Sequence, residues 1–391
     1  MRRNRSLAAA LLLVSLNLRL VVAAVPPVLG EIRHATGLSS VGGGLLTALP
    51  VFCFGLAALA APRLIRRFSM GPLLGLTMAA VICGCALRLA PSLFTLFAGT
   101  AVLGIGIAVG NVLVPGLLKR DFPVQRVLMT ALYSVALAGG GAIAAGLTVP
   151  LEHATGIGWR LAITLWGVFA VLALILWIPH VRGERAREAA SIQQPVRGLW
   201  RDPLAWCVSG FMGLQSFGFY ALFSWLPTIL RSHGMSATHA GWMLSYASVF
   251  GMIGALTAPS LERRLRHPGV VLLICIALAG TGYVGLITAP VSGSYLWCAL
   301  IGLGQGAPLA LALGYIVGRA PDSNHAAQLS MMAQSVGYLI ASAGPFAMGA
   351  LHGVSNSWTL PLAMLLVVLV PMLFVGLAAS RDQLVLAHQR A

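Results

Sequence analysis

Charge is what this sequence has least of. Only 9% of its 391 residues are Asp, Glu, Lys or Arg, against about 25% in soluble domains. A soluble fold so poor in charge could not cover its own surface, which argues against a soluble enzyme. Acid is scarcest of all: nine Asp and Glu stand against 25 Lys and Arg, for a formal net charge of +16. Cysteine is also sparse. Its six residues all lie in apolar runs, and Cys83 and Cys85 form C-x-C rather than C-x-x-C. Neither a disulfide framework nor a zinc site is indicated, and the pair reads as buried small residues. Glycine-rich stretches such as Gly104-Ile-Gly106, Gly139-Gly140-Gly141 and Gly302-Leu-Gly304 follow no strand. They therefore lack the setting of a nucleotide loop and read as close helix packing. No cofactor or metal is expected.

What is present is apolar sequence in runs of about 20 residues, the length that crosses a bilayer as a helix. The chain is 58% hydrophobic, with a mean hydropathy of +0.89. Twelve spans are expected, near 7–30, 41–62, 71–90, 93–117, 126–149, 160–179, 204–229, 240–260, 269–289, 295–317, 328–351 and 359–379. The N-terminal Met-Arg-Arg-Asn-Arg followed by an apolar run is similar to a signal peptide. The run continues to about Gly30 and reads better as an uncleaved first span. With the N-terminus in the cytoplasm, 20 basic residues fall on the cytoplasmic side, three (Arg33, Arg160, Arg231) on the other, and two (Arg19, Arg88) inside spans. That bias is the positive-inside pattern. It places both termini in the cytoplasm, and it accounts for the basic charge through the lipid bilayer, with no nucleic-acid partner.

The chain repeats itself. Gly44–Arg67 and Gly241–Arg264 share Ala-Leu, Ala-Pro, Leu and Arg-Arg at a constant offset of 197. Gly104-Ile-Gly106 meets Gly302-Leu-Gly304 at 198, and Tyr133-Ser134-Val135 meets Gln334-Ser335-Val336 at 201. A shift of six spans gives two halves of like orientation, related by an axis along the membrane normal, with a solute site between them at mid-membrane. The expected fold is an all-α membrane protein of twelve transmembrane helices in two six-helix halves, 1–180 and 204–391, joined by a cytoplasmic linker over 181–203.

On these residues the chain resembles the major facilitator superfamily, and within it the bacterial cyanate permease group. Asn17-Leu18-Arg19, L-L-T-A-L-P at 45–50, G-N-V-L-V-P-G-L-L-K-R-D-F-P at 110–123, G-L-W-R-D-P-L-A-W at 198–206 and M-A-Q-S-V-G-Y-L-I-A at 332–341 carry the resemblance. It implies a bacterial inner-membrane transporter of cyanate-like or nitroimidazole-like solutes, with alternating access. One departure stands out. The loop after the second span, Pro62–Ser69, keeps the family's basic residues but has Arg66 near the usual Asp position.

Arg19 is the sharpest feature. It lies near mid-membrane, where a charge costs roughly 2.5–3.5 kcal/mol on insertion scales and usually faces a cavity or a partner. Its planar fork of donors suits an anionic or electron-rich group; a permanent hydrogen bond inside the helix bundle is the alternative. Arg88, next to Pro91, can snorkel to the interface. Further candidates for contact with a small-molecule substrate are Asn17, Asn111 and Tyr133 in the first half. Those in the second half are Gln215, Phe219, Tyr220, Tyr246, Gln305, Gln334 and Tyr338. Aromatic rings among them can stack on a planar solute.

All nine acids and all nine histidines fall in loops or at span ends. With none at mid-membrane, the sequence argues against a built-in carboxylate proton switch, leaving Glu31 and His34, just beyond the first span, as titratable groups near the outer gate. Facilitated diffusion, anion exchange and coupling through a protonatable substrate remain. No nucleotide-binding domain points to ATP. The alternatives are a drug or metabolite efflux transporter of broader specificity in the same fold, and a membrane receptor or scaffold. The second would need a large soluble segment, yet the longest connection has about 24 residues. An intramembrane enzyme would need His, Asp or Glu within the spans. A monomer is expected.

Overall fold

The computed structural model describes residues 2–181, 196–265 and 268–386. Among them are fourteen α-helices and no strand. In the first half these are α1 (Arg2–Ala23), α2 (Leu29–Thr36), α3 (Ser40–Arg67), α4 (Met70–Leu89), α5 (Leu93–Asp121), α6 (Arg126–Thr155), α7 (Gly158–Leu165) and α8 (Gly167–Val181). The second half has α9 (Pro203–Ser232), α10 (Ala237–Leu265), α11 (Pro268–Thr288), α12 (Ser294–Gly318), α13 (Ser323–Ser355) and α14 (Thr359–Ala379). They make twelve spans, because the first and sixth are each broken in two. The expected linker lies mostly outside the described residues, which resume at Val196.

The breaks have local causes. Pro26 and Pro27 lack amide hydrogens and cannot continue a helix from α1, so the chain passes through a 3-10 turn over Pro26–Val28 before α2. Gly37, at φ 70°, ends α2 in the left-handed region that glycine enters without steric cost. The first span, expected near 7–30, thus runs as two helices joined by the 3-10 turn. In the sixth span the break is at Trp166, whose indole donates to Thr148 Oγ1 at 3.0 Å. Ser39, Ser92, Asp202 and Asp322 cap α3, α5, α9 and α13 by accepting from backbone amides of the first turn, satisfying donors that would otherwise be orphaned.

Ten of the helical segments are long and apolar enough to cross a membrane on length and composition alone. The spans outside that set are α9 and α13. They carry more polar residues, and α9 is also among the most buried helices. Helices that face protein rather than lipid can hold polar side chains.

The repeat in the sequence is a repeat in packing. In the first half the main pairings are α1–α6, α3–α5, α4–α5, α1–α8 and α4–α8. In the second they are α9–α13, α10–α12, α11–α12, α9–α14 and α11–α14, the same five shifted by six spans. Individual glycine crossings repeat too. A methyl group at Gly106 would lie 2.9 Å from Thr77 O, and one at Gly304 would lie 2.6 Å from Cys275 O. Gly104 faces Pro50 and Cys53, while Gly302, 198 residues on, faces Ala247 and Phe250, each 197 residues on from its counterpart. Cys85, like most of the six cysteines, is wholly or partly buried, but Cys83 is exposed, on the outside of the bundle.

The halves meet along α3–α13 and α6–α10. Their closest crossings lie away from the chain ends. Gly44 packs on Pro345 O, Gly349 on Ser40 O, Gly241 on Ala145 O, and Gly146 on Trp242. At that same face Arg231 of α9 pairs with Glu31 of α2 at 2.6 Å, and Arg33 lies over the Trp225 ring at 5.8 Å. The face bearing the chain ends is knit within each half: Ser6 with His180 at 3.2 Å in one, and Leu386 N with Asp202 Oδ2 at 2.6 Å in the other. The bundle is therefore sealed across the halves at the face opposite the termini.

Candidate functional site

Arg19 lies near the middle of the first candidate span, Ser6–Thr36. Its guanidinium Nη1 donates to Tyr220 Oη at 3.0 Å, and its charged carbon lies 5.6 Å from the centre of the Tyr220 ring. Tyr220 belongs to α9, so this contact joins the two halves. The phenols of Tyr338 and Tyr133 are within electrostatic reach of the same guanidinium. Rings extend the cluster. Phe219 meets Tyr220 edge-on at 5.2 Å and stacks on Phe223 at 5.5 Å. Tyr338 meets Tyr220 at 6.4 Å and Phe54 at 5.7 Å. Every partner of Arg19 is neutral. Among the described residues no carboxylate pairs with it. An aromatic cage around an unneutralised guanidinium presents a cation face and ring faces together.

The structure brings Arg19, Tyr133, Phe219, Tyr220 and Tyr338 together. The other expected residues have different surroundings. Gln215 is buried and donates to Ser216 Oγ at 2.6 Å and Met212 O at 3.1 Å. Gln305 donates to Tyr283 beside Gly218. Gln334 donates to Ser330 at 2.8 Å. Tyr246 packs on Phe250 and Tyr295. Asn17 is fully buried and donates to Leu13 O at 3.0 Å; its Oδ1 has no partner among the described residues. Asn111, half-buried on α5, forms no hydrogen bond among them.

One charged residue was placed wrongly by the sequence. Arg88 does not snorkel. It is 1% exposed, with Nε and Nη2 donating to Thr100 Oγ1 at 3.1 and 3.0 Å and Nη1 to Val21 O at 3.1 Å. Arg160, half-buried at the start of the sixth span, donates to Ala90 O just beyond α4 at 2.9 Å. The signal available was Thr100, an acceptor at the facing level of the next span. Arg88 and Arg19 line one small cavity of about 20 Å³, room for about one water. Residues of the first span, of α3 (Leu46, Thr47, Pro50) and of α9 (Tyr220, Phe223, Ser224) also line it, so both halves contribute.

Twelve spans, a six-span repeat and a polar site at the seam are the arrangement of one transporter architecture. Residues 7–345 match the Major Facilitator Superfamily. The chain belongs to that superfamily. This facilitator is 38% identical over 378 residues to the 2-nitroimidazole transporter of Escherichia coli (strain K12), covering 96% of each chain. It is 30% identical over 350 residues to the cyanate transport protein CynX of the same organism, covering 89% of this chain and 90% of that one. Among solved structures, it superposes with a TM-score of 0.72 on a bacterial homologue of the human lysosomal transporter Spinster in an inward-facing, occupied conformation. That likeness, at 20% identity and 97% coverage of both chains, concerns the fold. The facilitator is a multi-pass membrane transporter, and its relatives and fold are those of transporters, not enzymes.

Proposed function

We propose that this facilitator carries a small, polar, planar or anionic solute, cyanate-like or nitroimidazole-like, bound at Arg19 between the two halves. The observation that carries the reading is the contact of Arg19 with Tyr220 across the seam, with no carboxylate partner among the described residues. An incoming group with negative charge or an electron-rich oxygen takes the guanidinium donors that Tyr220 does not use, and the rings of Tyr338, Tyr220 and Phe219 cover its faces. Because Arg19 and Tyr220 belong to different halves, occupancy bears on how the halves meet, as alternating access requires.

The positive-inside count puts the terminal face in the cytoplasm, so the sealed face is the outer one and the conformation is inward-facing. The site lies within one chain, and the working unit is a monomer. The similarity to relatives named for 2-nitroimidazole and for cyanate supports both solutes as probes. The test is uptake of cyanate and of 2-nitroimidazole into vesicles reconstituted with purified protein. The wild type transports at least one of them, and Arg19→Ala and Arg19→Lys abolish that flux while the protein still folds and inserts. Full transport by Arg19→Ala would remove Arg19 from the mechanism.

A further inference from the structure

The tryptophans of this facilitator are unevenly placed: all nine lie from Trp159 onward. Trp200 and Trp206 sit together at the start of α9, 45% and 46% exposed, with their rings edge-on at 6.2 Å. The indole of Trp206 donates to Trp200 O at 2.9 Å and ties the two together. The segment that carries them is held to the second half at three points. Val196 N donates to Gln328 Oε1 of α13 at 2.8 Å. Leu199 is 1% exposed. Asp202 accepts from Ala205 N with one carboxylate oxygen and from Leu386 N with the other. The two rings are thus displayed on a pinned platform.

Arginines frame that platform. Arg197 and Arg201 flank Trp200, and both are exposed. Arg381, just after α14, is exposed too, and it lies within electrostatic reach of Cys207, the neighbour of Trp206. None of the three has an ion-pair partner among the described residues. Of the acids nearby, Asp202 is buried with both oxygens engaged, and Asp382 pairs with Arg319 at 3.0 Å. One turn after Trp206, Gly210 faces Val375 of α14, a helix that pairs with α9, α11 and α13 of its own half. The patch therefore lies on the lipid side of α9. Tryptophan rings settle between headgroups and acyl chains, an arginine fork suits a phosphate, and the cytoplasmic leaflet is the anionic one. We propose that this patch binds an anionic phospholipid of that leaflet. Arg197 and Arg201 hold the headgroup phosphate, Trp200 and Trp206 lie along the tops of the acyl chains, and Arg381 adds charge. The first half has basic residues at the same face, Arg67 and Lys119 among them, but no exposed tryptophan among the described residues. The site belongs to the second half alone. It rests on the cytoplasmic placement of the terminal face and on nothing proposed for Arg19.

The test measures the Tm of the purified full-length protein in detergent micelles as phosphatidylglycerol is added. Phosphatidylcholine, which keeps the chains and the phosphate but is zwitterionic, and inorganic phosphate are the comparisons. Phosphatidylglycerol raises the Tm of the wild type, phosphatidylcholine raises it less than half as much, and phosphate leaves it unchanged. Arg197→Gln combined with Arg201→Gln loses at least half of the phosphatidylglycerol shift. Arg67→Gln combined with Lys119→Gln, which removes the same charge from the first half, keeps it. Native mass spectrometry gives a second reading that does not depend on the arginine variants: the wild type retains phosphatidylglycerol through a delipidating wash, and Trp200→Ala loses it.

Equal shifts from the two lipids, or the full shift from inorganic phosphate alone, overturn the proposal. So does an equal loss in the two double variants, which would assign the effect to the charge of the whole face. Equal lipid retention by wild type and Trp200→Ala overturns it as well. Micelles have no leaflets, so a reversed orientation leaves these results unchanged. It shows instead in labelling, from one side of a sealed vesicle, of a cysteine placed on the terminal face. No solute is present in any arm, so the fate of the Arg19 site is decided separately.

Discussion

The two halves share a scaffold and differ in what they hold inside. The glycine crossings that set their helix spacing coincide at offsets of 197 and 198. At the offset of 198, Arg88 and Thr100 correspond to Leu286 and Cys298, which are equally buried and apolar. At 201, Leu16 and Pro26 correspond to Phe217 and Pro227. Leu16 O and Phe217 O face Gly140 and Gly344 on the partner spans, and the same offset pairs Arg19 with Tyr220. The residue that carries the charge and the one that accepts its hydrogen bond are thus symmetry mates. Packing has been kept alike in both halves, as a rocking motion about a common axis needs. The charge is one-sided: Arg19 and Arg88 lie within spans of the first half, and their mates in the second, Tyr220 and Leu286, are uncharged.

The largest expected effect attacks that one-sidedness. Arg19→Ala should lower flux about 100-fold or more, since charge-assisted hydrogen bonds contribute about 1.5–3 kcal/mol each and a solute loses at least one of them along with the charge. Vesicle uptake reads this. Next, the sameness of the scaffold is open to attack at Gly106 and Gly304. Valine at either position presses on a carbonyl, at about 1–3 kcal/mol of overpacking, and the two variants should lower Tm by equal amounts. Unequal losses would mean that the crossings are alike in geometry only. Tyr220→Phe, which removes the acceptor from Arg19, should reduce transport about tenfold with KM rising.

Glu31→Gln comes next in size. The Arg231 pair is about a quarter to a third exposed, so it holds the sealed face by only about 0.2–1 kcal/mol. Labelling of a cysteine placed at that face should rise no more than about fivefold.

The smallest effect compares helix starts. Asp322 accepts from the backbone and ring of His325, which holds its carboxylate below the usual range. The cap is intact at neutral pH and is lost only as pH falls through that lowered value. Gln125, which precedes α6, makes no side-chain cap. Acid should therefore speed amide exchange in the first turn of α13 and leave α6 unchanged.

Much of the fold was legible because membrane spans are written in composition and length, and because the repeat survives in small residues that packing constrains. Arg19 was legible for the same reason in reverse: a lone charge in an apolar span has few places to go. Its cage was legible in part. Tyr133, Tyr220 and Tyr338 stood out as polar aromatics in spans, but a one-dimensional pattern does not say which faces converge, so Gln215, Gln305 and Tyr246 stood out equally. Arg88 was misread because proximity to Pro91 suggested the interface, whereas the deciding acceptors, Thr100 and Val21 O, lie on two other helices. The break at Trp166, directly before Gly167, was not read from the sequence.

A buried arginine with only neutral partners among the described residues is also an electrical element. Without a solute, Arg19 holds a positive charge inside the membrane field; an anionic solute bound as proposed lowers the net charge there. A full charge crossing 100 mV is worth about 2.3 kcal/mol, so any fraction of that field which Arg19 traverses makes the unloaded step more sensitive to membrane voltage than the loaded one.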